Sequence, residues 1–134
     1  MSVLEDRNVL LLGAETDLGR DVATALASAG ARLALVSGSR DAEDAFAVQR
    51  LARRLGATSQ AIDAANEAAV RVMVRQVSKE IGGLDAAVSC VAEGTARELF
   101  ERHARREMKR TGAGVYVDAT ETPDVVAAVA GERE

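Results

Sequence analysis

Four residues near the start of the chain, Gly13, Thr16, Leu18 and Gly19, are spaced to hold an anion. They follow the apolar run Asn8-Val9-Leu10-Leu11-Leu12 and open a segment with helical periodicity. A glycine-bearing turn from a strand into a helix points backbone N–H groups outward, where the helix macrodipole favours negative charge. A pyrophosphate is the usual occupant of such a turn. The same residues also suit a tight turn that binds nothing. Glu15 and Asp17 favour that second reading. A carboxylate beside a pyrophosphate repels it, and Asp17 has the chemistry to cap the helix itself.

The second apolar run ends at Ser37 and is followed by Gly38, Ser39 and Arg40. Dinucleotide folds place a group there that reads the ribose, an acid for free hydroxyls or a cation for a 2′-phosphate. A neutral Ser37 with the Arg40 guanidinium nearby favours NADP(H) over NAD(H). Arg40 reads equally as a solvated loop cation. Cys90 reads as a small buried hydrophobe at a strand end, with no base beside it. His103 has neither a metal-ligand partner nor an acid at triad-like spacing, and reads as a surface histidine. Arg97, Arg102, Arg105, Arg106, Lys109 and Arg110 alternate with Glu98, Glu101 and Glu107. That pattern makes a solvated, salt-bridged helix face, with a partner surface as the alternative.

Strand-like and helix-like segments alternate to position these residues. Strands are predicted at Asn8 to Leu12, Arg32 to Ser37, Thr58 to Asp63, Ala86 to Cys90 and Gly114 to Asp118. The first helix carries Leu18, Val22, Ala25, Leu26 and Ala29 at spacings of three and four, and ends at Gly30. The second opens at Asp41, aligns Ala45, Val48, Leu51, Ala52 and Leu55, and closes at Gly56. Asn66 caps the third, which aligns Val70, Met73, Val74, Val77 and Ile81. Ala96 to Arg110 forms a fourth, with Phe100, Ala104 and Met108 as a thin apolar stripe. Thr122-Pro123-Asp124 predicts a cap and first turn for a short helix to Ala130, before a polar tail from Glu132 to Glu134. Repeated βαβ units imply a doubly wound, Rossmann-like parallel sheet of five strands in the order 3-2-1-4-5, with helices on both faces. The whole span, 1–134, reads as one domain.

Composition excludes several classes. Aromatic residues are 2% of the chain, too few for base-stacking platforms. A net charge of −4 argues against nucleic acid or an anionic membrane as partner. One cysteine leaves no internal disulfide and no multi-cysteine metal site. No apolar run approaches the ~20 residues of a membrane span. Met1 to Asn8 is polar and acidic, unlike a signal peptide. A cytoplasmic protein is the expectation.

These segments resemble the short-chain dehydrogenase/reductase family, collinearly from Leu4 to Ala119. The family opens with Thr-Gly-x-x-x-Gly-x-Gly. Here Leu12 replaces the Thr, Gly13 and Gly19 are retained, and Asp17 stands at the middle glycine. The resemblance puts Asp63 and Ala64 where the family contacts adenine. Ser89-Cys90-Val91-Ala92 takes the place of its Asn-Asn-Ala-Gly, which adds Cys90 and Val91 to the cofactor-binding set. The end of the fifth strand, where the family has a catalytic Ser, is Ala119-Thr120-Glu121. The family's Tyr-x-x-x-Lys has no counterpart, because Tyr116 is the only Tyr and both Lys79 and Lys109 precede it. The segment between Ala92 and Val115 is shorter than the family's.

The resemblance therefore implies a degenerate relative that binds NADP(H) or NAD(H) weakly through Gly13, Thr16, Asp17, Leu18, Gly19, Ser37, Arg40, Asp63, Ala64, Cys90 and Val91. No metal and no catalytic residue is expected. Such a chain is a pseudoenzyme, a non-catalytic subunit or regulator. Two other readings stand beside it, an oxidoreductase completed by another chain and an assembly module with an empty cleft. A homo-oligomer, or a hetero-oligomer with a full-length relative, is expected through Ala96 to Arg110, Pro123 to Ala130 and the edge strand at Gly114 to Asp118.

Overall fold

The computed structural model describes residues 3–131. Five strands, β1 (Asn8–Leu12), β2 (Arg32–Ser37), β3 (Thr58–Ala61), β4 (Ala86–Ser89) and β5 (Val115–Asp118), pair in parallel. Their order is β3-β2-β1-β4-β5, as the alternation of elements predicts. The intervening helices are α1 (Asp17–Ser28), α2 (Ala42–Leu55), α3 (Glu67–Ile81) and α4 (Thr95–Thr111), and α5 (Val125–Ala130) follows the last strand.

Alternation along β1 sorts the core into two layers. Val9 and Leu11 pack with Val22, Leu26, Val48, Leu51 and Val129, so α1, α2 and α5 cover one face. Leu10 and Leu12 pack with Val70, Met73, Val77, Phe100 and Met108, so α3 and α4 cover the other. With both faces covered, a central strand has no polar side, which is why β1 reads as an unbroken apolar run. Asn66 caps α3 by accepting from the Ala69 amide at 3.0 Å. Gly56 and Gly82 close α2 and α3 in the left-handed conformation that favours glycine.

Several expectations are corrected. In α1 the buried face is Gly19, Val22, Ala23 and Leu26, while Ala25 is exposed. Leu4, within the polar leading segment, is fully buried, and its amide donates to Ala29 O at 2.8 Å. β3 stops at Ala61 and β4 at Ser89, each short of the expected end. The last helix starts after Asp124, not after Thr122. The Asp124 carboxylate accepts from the Ala127 amide, whereas Thr122 donates its hydroxyl to Asp118 O and closes a 3-10 turn, Ala119–Glu121. The expected tail from Glu132 lies outside the described residues.

The fourth helix departs most from expectation. Phe100, Ala104 and Met108 are covered by this chain's own sheet and α3, with exposures of 0 to 3%, so they need no partner. His103 is not a surface histidine. It is buried against α3, and its Nε2 lies 3.0 Å from Glu67 Oε2. That contact, with Arg102 beside it, holds the Glu67 carboxyl below its usual range. Glu107 is buried too, and Arg110, with smaller help from Ser78 and Arg75, holds its carboxyl low. Only part of the expected salt-bridged face is local, as in the Arg105–Glu101 and Arg110–Glu107 pairs.

Candidate functional site

The carboxyl ends of the strands form the crevice in which an open α/β sheet binds ligands. Its floor continues the sheet one residue past the strands. The Gly13 and Ala14 amides both donate to Val36 O, at 2.9 and 3.1 Å, and the Cys90 amide donates to Leu12 O at 2.8 Å. Gly13 turns with φ +95°, a conformation suited to glycine. A Cβ there would lie 3.0 Å from both Cys90 C and Val91 Cγ1.

Thr16 then closes the turn. Its hydroxyl donates to Gly13 O and accepts from the Gly19 amide, both at 2.8 Å. Thr16, and not Asp17, is therefore the helix cap. Asp17 sits in the first turn, with its carboxylate 2.6 Å from Arg20 and its side chain 93% exposed. Gly19 is the tightest point, because a Cβ there would meet Gly13 O at 2.0 Å. The amides of Asp17 and Leu18 precede the first main-chain bond of the helix, which runs from Arg20 N to Thr16 O, and find no acceptor among the described residues. The cradle thus combines a glycine-only close approach with free donors at a helix N-terminus, which fits a pyrophosphate.

Around the adjoining part of the crevice the structure gathers Gly13, Gly38, Ala64, Cys90 and Val91. A Cβ on Gly38 would face Ala64 Cβ at 3.4 Å, Glu15 Oε2 at 3.6 Å and Val91 Cγ1 at 3.7 Å. Glu15 reaches across from the turn, and its Oε1 accepts from the Gly38 amide at 3.0 Å. Ser37 is fully buried, with its hydroxyl donating to Ser39 O at 2.7 Å. Arg40 is exposed on the loop beyond. Asp63 is exposed and holds the Ala65 amide at 3.0 Å. Burial pushes the Cys90 thiol up to about 12, with Asp118 and Glu15 adding to the effect, so it is a neutral wall group at ordinary pH.

The β4–β5 end of the crevice is built differently. Arg97, from the first turn of α4, pairs with Asp118 at 2.5 Å, and both side chains are largely buried. Asp118 also accepts from the Thr120 amide and hydroxyl, and Glu121 lies 3.7 Å from Arg97. Sequence reasoning missed this network and the Glu15–Gly38 bond. Tyr116 packs on the same face of β5, with 6.2 Å between its ring centroid and that of Phe100 and the Arg105 guanidinium over its ring. Its hydroxyl is the one buried side-chain polar atom among the described residues without a hydrogen bond. Burial pushes its phenol up to about 12 against a smaller opposing pull from Ser89. Among the described residues no group of three or more His, Cys, Asp or Glu is arranged to hold a metal. No described helix is long and apolar enough to cross a membrane.

A sequence model of the family described as enoyl-(acyl carrier protein) reductase matches residues 13–116. No curated protein sequence matches the chain. Among solved structures, a short-chain type dehydrogenase/reductase from Mycobacterium ulcerans superposes with a TM-score of 0.71 at 24% identity, covering 88% of this chain and 52% of its own. NAD+-bound xylitol dehydrogenase gives 0.73 at 20% identity, covering 96% and 60%. A structure described as ribose-5-phosphate isomerase from Brucella melitensis gives 0.77 at 18% identity, covering 88% and 53%. The chain thus spans about half the length of the proteins it resembles, and likeness at this identity carries the fold alone.

Proposed function

The chain belongs to the short-chain dehydrogenase/reductase family, and from that premise we propose that its 134 residues bind a nicotinamide dinucleotide without transferring hydride by themselves. The observation that carries this is the Gly13–Gly19 turn. Its close approach admits no side chain at Gly19, and its first-turn amides are unengaged. A bound cofactor would supply the hydride or accept it. This chain's Asp17 and Leu18 amides would hold the pyrophosphate, while Gly13, Ala64, Cys90 and Val91 would wall the crevice. Ser37, turned inward, would contribute no hydroxyl, and Arg40 would act from the rim.

Reduction of a carbonyl needs a proton donor within reach of the developing oxyanion. Tyr116, the one tyrosine, is half-buried against α4 with its phenol hard to ionise, and neither lysine lies beside it in sequence. The groups at the β4–β5 end are engaged with each other. This supports a non-catalytic role as a subunit or regulator. A second reading is favoured by β5, an apolar edge strand carrying Val115, Tyr116 and Val117. Another chain pairing there would bring the missing donor, either a second copy or a longer relative.

Titration with NADH or NADPH, following nicotinamide fluorescence, tests binding. Saturable binding that is lost in Gly19→Ala is expected, and a wild-type chain that binds neither sinks the proposal. Turnover of ketones or alcohols by the isolated chain, surviving Tyr116→Phe, would expose another catalytic group.

A further inference from the structure

We infer that Glu15 selects NAD(H) against NADP(H) by holding a carboxylate at the carboxyl end of β2. This rests on the dinucleotide-binding reading above and reverses the preference drawn from Ser37 and Arg40 alone.

In a dinucleotide fold the end of the second strand faces the adenosine ribose. An acid there pairs with the free 2′-hydroxyl and repels a 2′-phosphate, whereas a cation does the opposite. β2 ends at Ser37, whose side chain is buried and turned toward Ser39. The position is not left neutral. Glu15 fills it from the other wall, because its Oε1 takes the amide of Gly38, the first residue past β2. Its second oxygen, Oε2, is the one nearer the open side of Gly38, in the space bordered by Ala64 and Val91. The charge of Glu15 is felt at Cys90, on the far side of the turn, which shows how close to the crevice it sits. The free oxygen is thus an acceptor for a ribose hydroxyl and a like charge for a phosphate.

Cations lie on the outer side. Arg20, Arg50 and Arg54 line, with Ala14 and Glu15, a hollow of about 200 Å³ between α1 and α2. Arg20 is engaged by Asp17. Arg50, Arg54 and Arg40 are exposed on α2 and the loop before it, so water and salt weaken their pull on a phosphate. Glu15 is half-buried and fixed by its hydrogen bond, so its repulsion is screened less.

The test titrates the full chain separately with NADH and NADPH. Wild type is expected to bind NADH about tenfold or more tightly, a difference of roughly 1.4 kcal/mol. Glu15→Gln keeps an acceptor for the Gly38 amide but drops the charge. It should bring the two affinities within about threefold, chiefly by tightening NADPH. Raising salt from ~0.05 to ~0.5 M should narrow the wild-type preference and leave that of Glu15→Gln unchanged. Glu15→Asp, which retains the charge, should keep the NADH preference even if the turn loosens. A wild-type preference for NADPH, or an NADH preference untouched in Glu15→Gln, overturns the inference while dinucleotide binding stands. Failure of every form to bind either nucleotide overturns the binding reading and this inference with it.

Discussion

The two ends of the crevice solve the same problem in opposite ways. At the β1–β2 end, polar side chains serve the backbone. Thr16 closes the turn, Glu15 holds the Gly38 amide, and the first amides of α1 stay open to solvent. At the β4–β5 end, polar side chains serve one another, with Arg97, Asp118, Thr120 and Glu121 joined in one network. One end leaves backbone donors unengaged, while the other joins its charged side chains to one another. Two regions of one scaffold can therefore carry different commitments, and a fold match across both says little about either.

Variants at the β4–β5 end should separate stability from binding. The largest effect is expected from Phe100→Ala, which empties a fully buried ring site between α4 and the sheet. Urea denaturation should show a loss of about 4 kcal/mol, while the folded fraction keeps its nucleotide affinity. A parallel fall in affinity would mean that the two ends are one mechanical unit. Next comes Asp118→Asn, which leaves the largely buried Arg97 without its close carboxylate, keeping the Thr120 hydroxyl at 3.2 Å and the 3.7 Å contact to exposed Glu121. A loss of about 2 kcal/mol is expected, again with binding preserved.

The acid dependence of stability sharpens the comparison further. Glu107 has its carboxyl held below the ordinary carboxylate range, first by its hydrogen bonds from Arg110. A depressed folded-state value means stability that is fully present above that range and lost as pH falls through it. Glu107→Gln should flatten the acid limb of the stability profile by about 1 kcal/mol, read by urea melts at successive pH. An unchanged acid limb would place the sensitivity elsewhere. The smallest effect should come from Asp17→Gly. The sequence suggests that removing this charge tightens nucleotide binding by about 1 kcal/mol, roughly fivefold. Its carboxylate is 93% exposed and paired with Arg20, so a change below about threefold is expected instead. A large gain would mean that Asp17 faces the ligand when one is bound.

What was legible in the sequence was local and periodic. The apolar run of β1, the three-and-four spacing of α2 and α3, the Asn66 cap and the glycine C-caps all follow from short-range rules. With the βαβ alternation they sufficed for the strand order. What escaped was set by crossovers. His103 looks solvated within its own charged helix, yet it is buried because α3 lies alongside and supplies Glu67, 36 residues earlier. Glu15 looked like an obstacle to an anion, and only the turn geometry reveals its partner 23 residues on. Arg97 belongs by pattern to the solvated stripe of α4, but the register of β5 brings Asp118 to it. No spacing rule predicts which distant carboxylate a cation meets.

The ladder bonds that run past the strands have a consequence in time. The Gly13 and Ala14 amides on Val36 O, Cys90 on Leu12 O and Ile62 on Ser37 O tie the crevice floor into the central sheet. Such amides are released to solvent only when neighbouring strands part, so their exchange with deuterium runs at the pace of the sheet's opening as a whole. The amides of Asp17 and Leu18, a few residues away, have no such tether and exchange far sooner. Within one turn, adjacent residues thus keep two clocks, a slow one for the integrity of the fold and a fast one for whatever comes to rest on it.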